Sequence, residues 1–243
     1  MMRGVTPAKV PSIKGLVFRE FVRWYEATRG REAALRARDA LPLELRAHLD
    51  PDRDSFGLLA GSWYPTSIAG GMLESITWGL GPLERSAMLR EGIEHAVGTT
   101  LTGVYRVLFK TLVTPERHAK YAQKIWDNYY NTGIVQGAML AENRSEQWVK
   151  DWSGHHPLLC ELSIWSLTVF HQHMGCKNVK VSRSRCVLDA TRSMRGGVRR
   201  PSSTQMRAVG AMMGDGQPAQ IPPLAPVESR GEACRFLIQW DSR

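Results

Sequence analysis

Cysteine and histidine are the residue types in this chain that could support metal binding or redox chemistry. Its 243 residues include four cysteines and seven histidines, and the cysteines show no Cys-x-x-Cys spacing. Cys186 lies near the end of a basic, β-branched segment, and Cys234 begins a segment in which apolar and polar residues alternate, as in a half-buried strand. We therefore expect the two thiols to face each other across adjacent strands. A redox pair would require β-carbons about 4 Å apart, and two buried, reduced thiols are the state that we favour.

The helix predicted to begin at Pro157 offers a second set of metal ligands. His156 and Cys160 are four positions apart, and His171, His173 and Cys176 lie at the far end of the helix. Zinc sites need a tetrahedral set of nitrogen and sulfur ligands, but positions 156 and 171 would be about 22 Å apart along a helix. We therefore expect His156 to cap the helix and Cys160 to pack in the core, and we predict no metal site.

His118 is the residue best placed to bind a haem iron, because a haem needs a histidine that projects from a helix into an apolar cavity. Its neighbours Glu116, Arg117 and Lys120 are charged, and a first helical turn of this kind is typical of a solvent-facing position. We favour a solvent-facing His118. Haem is therefore an alternative that we disfavour, and we predict no cofactor.

The common catalytic motifs are absent from the sequence. It contains no Gly-x-Ser-x-Gly, no phosphate-binding Gly-rich loop and no Gly-x-Gly-x-x-Gly, and no carboxylate pair accompanies a histidine. We predict that the protein is not an enzyme. An aromatic face at helical spacing could line a ligand pocket, although such faces more often pack in a core. Its members are Tyr105, Tyr121, Trp126, Tyr129 and Tyr130.

Positive charge is concentrated in the C-terminal part of the chain. The net charge is +9, and residues 176–243 contain 12 Lys and Arg against 5 Asp and Glu. Such a segment could contact an acidic partner, so an adaptor that binds a protein or nucleic acid through it is one alternative. No nucleic-acid-binding motif accompanies these residues, and we do not expect nucleic acid as a partner. The uncharged stretch 55–73 contains Pro65 and several small polar residues, so we expect no membrane insertion.

The order of predicted elements indicates an α+β fold. Helical periodicity begins at Ile13 and dominates to Gly133, and two short strands are predicted at 134–140 and 147–152. An apolar helix then begins at Pro157, and strands at 177–188 and 231–240 close the chain. We therefore predict a helix-rich N-terminal body packed on a small antiparallel sheet of about four strands, with one helix inserted before the last two strands.

We interpret residues 13–241 as a single domain. Residues 1–12 are predicted to be a disordered N-terminus. Residues 190–229, which are basic and rich in Gly and Pro, are predicted to be a disordered insertion inside a hairpin. The hairpin survives it because the entropic cost of loop closure rises only logarithmically with length. The cysteines form no disulfide framework, which favours a reducing, cytoplasmic location.

Six short motifs, taken in order, give the chain a family resemblance. They are Lys14-Gly15-Leu16-Val17-Phe18, Ser62-Trp63-Tyr64-Pro65, Gly103-Val104-Tyr105-Arg106, Tyr129-Tyr130-Asn131-Thr132-Gly133, His156-Pro157-Leu158-Leu159-Cys160-Glu161-Leu162 and Gly231-Glu232-Ala233-Cys234-Arg235-Phe236. Together they resemble a family of proteins of unknown function that is expanded in myxobacteria. That family looks distantly like haem–nitric-oxide-binding domains and four-vinyl-reductase-type ligand-binding domains.

This resemblance implies an α+β fold in which helices and a small antiparallel sheet enclose a pocket. Those relatives share a Lys-Gly-hydrophobic opening and a Cys…Gly-x-x-x-Cys-x-Phe close, which the insertion divides here between Cys186 and the segment 231–236. The Tyr-x-Ser-x-Arg motif that haem-binding relatives use for the propionates is absent, and Tyr25 to Arg29 match it only superficially.

We therefore predict a cytoplasmic, non-enzymatic regulatory or sensory domain that binds a small molecule or lipid-like ligand in a pocket between helices and sheet. The alternatives are an adaptor that acts through the basic insertion and a haem-based gas sensor. A partner protein and a homodimer formed through the strand that carries Trp148 and Trp152 stay open. The predicted ligand-binding residues are Trp63, Tyr64, Tyr105, His118, Tyr129, Cys186 and Cys234.

Overall fold

The computed structural model describes residues 9–101, 107, 109, 113–188 and 233–243. The helices of these residues are α1 (Gly15–Arg29), α2 (Arg31–Asp39), α3 (Leu43–Arg46), α4 (Thr66–Ile76), α5 (Pro82–Thr100), α6 (Pro115–Lys120), α7 (Ala122–Trp126) and α8 (Pro157–His173), with a 3-10 turn at Asp54–Gly57. The strands are β1 (Ser12–Lys14), β2 (Trp63–Pro65), β3 (Ile134–Ala141), β4 (Arg144–Lys150), β5 (Lys180–Arg185) and β6 (Cys234–Gln239).

A four-stranded antiparallel sheet with the order β3-β4-β6-β5 forms one layer of the molecule. The last strand of the chain, β6, is therefore a central strand. Its Cys234, Phe236 and Ile238 are buried, whereas Arg235 and Gln239 are exposed, which is the alternation predicted from the sequence. The helices pack on this sheet, so the predicted α+β class with about four antiparallel strands is confirmed.

Three helices begin at a proline, as the sequence predicts, because the first helical residue has no intrahelical partner for its N–H. The caps that precede two of these prolines use side chains. Thr114 accepts a hydrogen bond from the N–H of Arg117 before α6, and His156 Nδ1 accepts one from the N–H of Leu158 before α8. The predicted cap at His156 is therefore confirmed, and this cap fixes the direction of the histidine ring.

Some local predictions require correction. The helix expected from Ile13 begins only at Gly15, because residues 12–14 pair with residues 63–65 as a two-stranded sheet. The strand that carries Trp148 is hydrogen-bonded on both sides, to β3 and to β6. It therefore has no free edge for a strand of a second subunit, and the homodimer that the sequence suggested through this strand is ruled out. The predicted insertion at 190–229, the first eight residues and most of a helix that the sequence predicts over about 99–111 lie outside the described residues.

None of the helices in the described ranges is both long enough and apolar enough to span a bilayer.

The helix α5 packs closely against α1 at Gly92, a residue of α5 that has no side chain. A β-carbon built at Gly92 would lie 2.3 Å from Cε2 of Phe21, whose ring is buried in the core. At Gly98, six residues further along α5, a β-carbon would meet nothing within 4 Å. The contact of the two helices therefore depends on glycine at one position and not at the other.

Gly92→Ala is expected to lower the free energy of unfolding by about 1–3 kcal/mol, because the Phe21 ring has to move in a packed core. Gly98→Ala is the matched control in the same helix, and it is expected to raise the free energy by about 0.5–1 kcal/mol, since alanine favours helix. Urea denaturation of both variants measures the difference. Equal free energies for the two variants would contradict the close approach.

Candidate functional site

An apolar cavity of about 80 Å³ lies where the helices meet the sheet. Side chains from α1, α5, α6, α7 and α8 line it, and β4 contributes Gln147. The lining is mostly aliphatic and aromatic: Ile13, Val17, Val97, Ile125, Trp126, Leu162, Leu167 and Phe170. A cavity of this composition favours an apolar ligand, because burial of apolar surface stabilises the complex without hydrogen bonds.

His118 projects from α6 into this cavity and is only 6% exposed. The prediction of a solvent-facing histidine is therefore wrong. The charged neighbours occupy the outer side of the helix, where Glu116 and Arg117 are exposed, and the histidine turns inward. Burial and, to a lesser extent, the nearby His171 lower the pKa of His118 to about 3. The imidazole is therefore neutral at physiological pH.

His171, on α8, packs edge-on against His118 with a distance of 5.1 Å between ring centroids. Its Nδ1 lies 2.8 Å from the carbonyl oxygen of Leu167, and because a carbonyl only accepts, Nδ1 carries the proton. Nε2 is then a buried acceptor without a hydrogen-bond partner among the described residues. Burial lowers the pKa of His171 to about 4, although the hydrogen bond to Leu167 opposes the shift. The cavity therefore adjoins two buried, neutral imidazoles.

Some of the polar groups at the cavity are satisfied within the protein. The hydroxyls of Ser163 and Ser166 donate to carbonyl oxygens one turn earlier in α8, at 2.9 and 3.0 Å. Tyr130 stacks on Trp126 with ring centroids 4.2 Å apart. Burial raises the pKa of both Tyr129 and Tyr130, so the phenols stay neutral. A ligand in this cavity would meet no charge among the described lining residues.

The residues predicted from the sequence to bind a ligand fall into separate places. His118 and Tyr129 line the cavity. Trp63 is 42% exposed on β2, below the ammonium group of Lys14, and the Tyr64 hydroxyl accepts a hydrogen bond from the N–H of Leu59; neither is among the cavity-lining residues. The other three are Tyr105, which lies outside the described residues, and Cys186 and Cys234, which lie together at another site.

Cys186 and Cys234 lie at the paired ends of β5 and β6, and two further residues join them there. They are Cys160, in the first turn of α8, and His155, in the turn before it. The four side chains place their ligand atoms within 4.8 Å of one another. The Cys160 and Cys234 thiols hold the pKa of Cys186 below its ordinary range by hydrogen bonding to its sulfur. The structure thus brings together three buried thiols and one imidazole.

The sequence analysis missed this group because it considered the wrong histidine. It paired Cys160 with His156, four positions before it. In the structure the His156 ring serves as the helix cap and lies 3.2 Å from Glu74 Oε1, whereas His155 faces the thiols. A short-range spacing motif could not have found the group, because its members come from positions 155, 160, 186 and 234.

The residues around the cavity do not fit a haem. His118 meets the first requirement, a neutral histidine that projects from a helix into an apolar space. The second requirement, space, is not met, because the cavity of about 80 Å³ is far smaller than the roughly 300–1,000 Å³ of typical cofactor sites. The third, a cation for the propionates, is not met either, since the described lining residues include no Lys or Arg. Tyr25 and Arg29 are not among them.

The two buried histidines predict an acid-dependent loss of stability. Their folded-state pKa values, about 3 and about 4, lie below the ordinary 6.5. Between about pH 6.5 and pH 4 the unfolded chain therefore binds protons that the folded chain does not, and stability falls as the pH falls. One such histidine accounts for roughly 2 kcal/mol of the loss between pH 7 and pH 5.

His118→Gln is expected to remove that share of the pH dependence, whereas His48→Gln, at an exposed position, is expected to leave it unchanged. Urea denaturation at pH 7 and pH 5 gives the change in the free energy of unfolding between the two pH values for each variant. If this change in His118→Gln equals that in the parent protein, the buried, neutral state of His118 is contradicted.

Comparisons with known proteins bear on the fold. No protein-family model matches this chain, and no curated protein matches it. Among solved structures, an unliganded Fe(II) H-NOX protein from K. algicida shares the fold with a TM-score of 0.55 and 12% identity, over 95% of this chain and 97% of that one. An H-NOX protein from S. oneidensis in the Fe(II)NO state has a TM-score of 0.51 and 13% identity, over 94% and 99%. The chain therefore has the fold of H-NOX proteins, and its predicted resemblance to haem–nitric-oxide-binding domains is confirmed at that level.

Proposed function

We propose that this protein is a sensory domain that binds a small, neutral, apolar molecule in the cavity beside His118, without haem. The observation that carries the proposal is the apolar cavity at the junction of helices and sheet. The similarity to solved H-NOX structures supports a ligand-binding role, since one of those proteins is described in an unliganded Fe(II) state and another in an Fe(II)NO ligation state. The absence of catalytic motifs from the sequence supports a domain that senses a ligand and does not convert it.

The size and polarity of the cavity define the class of ligand. An apolar cavity of 150 Å³ in another protein accepts benzene or xenon, so the roughly 80 Å³ here suit a molecule of a few heavy atoms or the end of a longer apolar chain. A charged ligand would lose its hydration without gaining a partner, which costs several kcal/mol. The described lining residues therefore favour a neutral, largely apolar ligand.

The position of the cavity suits a sensor. Its lining includes residues of α1, α5 and α8 and of the central strand β4, so a ligand there would contact elements that are far apart in the chain. A ligand that binds one arrangement of these elements better than another shifts the equilibrium between them. We place the protein in the cytoplasm, because all four cysteines are free and buried, as suits a reducing compartment.

Xenon binding tests the cavity directly. The xenon NMR signal is expected to shift with protein concentration, because xenon enters dry apolar cavities. Ala122→Leu, at a buried lining position, is expected to remove most of the shift by filling the space. Ala47→Leu, at an exposed position, is the matched control and is expected to behave like the parent. Equal shifts for the two variants would contradict a ligand cavity at this place.

An absorbance scan after haem-supplemented expression tests the exclusion of haem. We expect no Soret band, because the cavity is small and its described lining residues include no Lys or Arg. A Soret band that His118→Ala abolishes would overturn this part of the proposal in favour of a haem sensor. Native mass spectrometry of the protein purified from its own host then identifies any ligand by its mass.

A further inference from the structure

We infer that His155, Cys160, Cys186 and Cys234 together bind one Zn²⁺ ion. These four residues lie apart from the ligand cavity and were not combined by any spacing motif in the sequence. His155 lies in the turn before α8, Cys160 in its first turn, Cys186 directly after β5, and Cys234 at the first position of β6. The fold brings them to one point from three separate segments.

The distances within this group suit a single tetrahedral ion. Nε2 of His155 lies 3.6 Å from the sulfur of Cys186 and 3.4 Å from that of Cys234, and all four ligand atoms lie within 4.8 Å of one another. In a tetrahedral zinc site with Zn–S of about 2.3 Å and Zn–N of about 2.0 Å, neighbouring ligand atoms are about 3.5–3.8 Å apart. The four ligands therefore need only small adjustments to surround one ion.

The donor set selects zinc over other common ions. Three thiolates and an imidazole form a Cys₃His set, which is typical of structural zinc, whereas magnesium and calcium prefer oxygen ligands. Four protein ligands also leave no open position for water or substrate, so the ion would be structural and not catalytic. Three thiolates around Zn²⁺ carry a net charge of −1, and Arg183 lies within hydrogen-bonding reach of Cys160, where it offsets that charge.

The three cysteines are buried where α8, β5 and β6 meet, so an ion bound to them would stabilise the contact between these elements. Cys160, Cys186 and Cys234 are each at most 1% exposed, and His155 is half-buried at the edge of the group. An ion there would tie the start of α8 to the ends of β5 and β6. Cys186 and Cys234 are 48 positions apart in the chain, so the ion would clamp the two ends of the long segment between these strands. Because these ligands come together only in the folded chain, the free energy of binding the ion adds to the stability of the fold.

Two other states of the cysteines compete with this inference. Three reduced thiols can remain in a core as small apolar groups that hydrogen-bond to one another. Alternatively, Cys186 and Cys234 can form a disulfide, which would leave Cys160 and His155 without a role. Metal content and free-thiol content distinguish the three states.

The test measures zinc and free thiols in the full-length protein purified under reducing conditions from zinc-supplemented cells. We expect one zinc per chain, retained through dialysis, and four titratable thiols after denaturation. Reloading with Co²⁺ after chelation is expected to give the intense visible absorption of tetrahedral cobalt–thiolate coordination. A folded protein without zinc that also fails to take up Co²⁺ would overturn the inference, and two missing thiols would replace it with the disulfide.

Variants separate the ligands from ordinary core residues. Cys234→Ala is expected to lose the zinc, whereas Cys176→Ala, which removes a buried sulfur outside the group, is expected to keep it. Because Cys234 lies in the core and its loss can unfold the protein, the half-buried His155→Ala serves as the second ligand variant and His156→Ala as its neighbour control. His155→Cys is expected to retain the metal with stronger cobalt–thiolate absorption. Zinc loss in Cys176→Ala equal to that in Cys234→Ala would contradict a defined site.

Discussion

The antiparallel pairing of β6 between β4 and β5 is the interaction on which the rest of the structure depends. A strand from the last ten residues of the chain occupies the centre of the sheet and supplies backbone hydrogen bonds to both neighbours. On its inner face, Cys234, Phe236 and Ile238 complete the core. On its outer face, Arg235 forms an ion pair with Glu146 of β4. Without β6, β5 would have no partner strand among the described residues and β4 would be paired only with β3, so both would expose unpaired backbone groups.

The same strand connects the sheet to both candidate sites. Trp240, directly after β6, packs on the ring of His171 with 5.6 Å between centroids, and His171 in turn packs on His118 at the cavity. At the other end of β6, Cys234 meets His155, Cys160 and Cys186. Burial of these aromatic and thiol side chains requires that the strand be in register, because a shift of one residue would turn its apolar face to solvent.

Much of the architecture could be predicted because it depends on local patterns. Alternation of apolar and polar residues predicts β6, and proline at the first helical position predicts the starts of α5, α6 and α8. The candidate sites could not be predicted in the same way. His118 is surrounded by charged residues in sequence, and only the packing of α6 on the sheet shows that its ring faces inward. Similarly, whether His155 or His156 faces the cysteines is decided by the cap of α8, in which the His156 ring is held by the N–H of Leu158 and by Glu74.

The helix α8 separates the two sites physically, although both depend on it. Its first turn contributes Cys160 to the thiol group, whereas Leu162, Ser163, Ser166 and Leu167 from its middle line the cavity. The thiol group is polar and can be satisfied by a cation, whereas the cavity is apolar and presents neutral imidazoles and phenols. One group of residues therefore suits an ion that holds strands and helix together, and the other suits an uncharged ligand. Since the two groups share no side chain, an ion between the strands and an uncharged ligand in the cavity would not compete for the same residues.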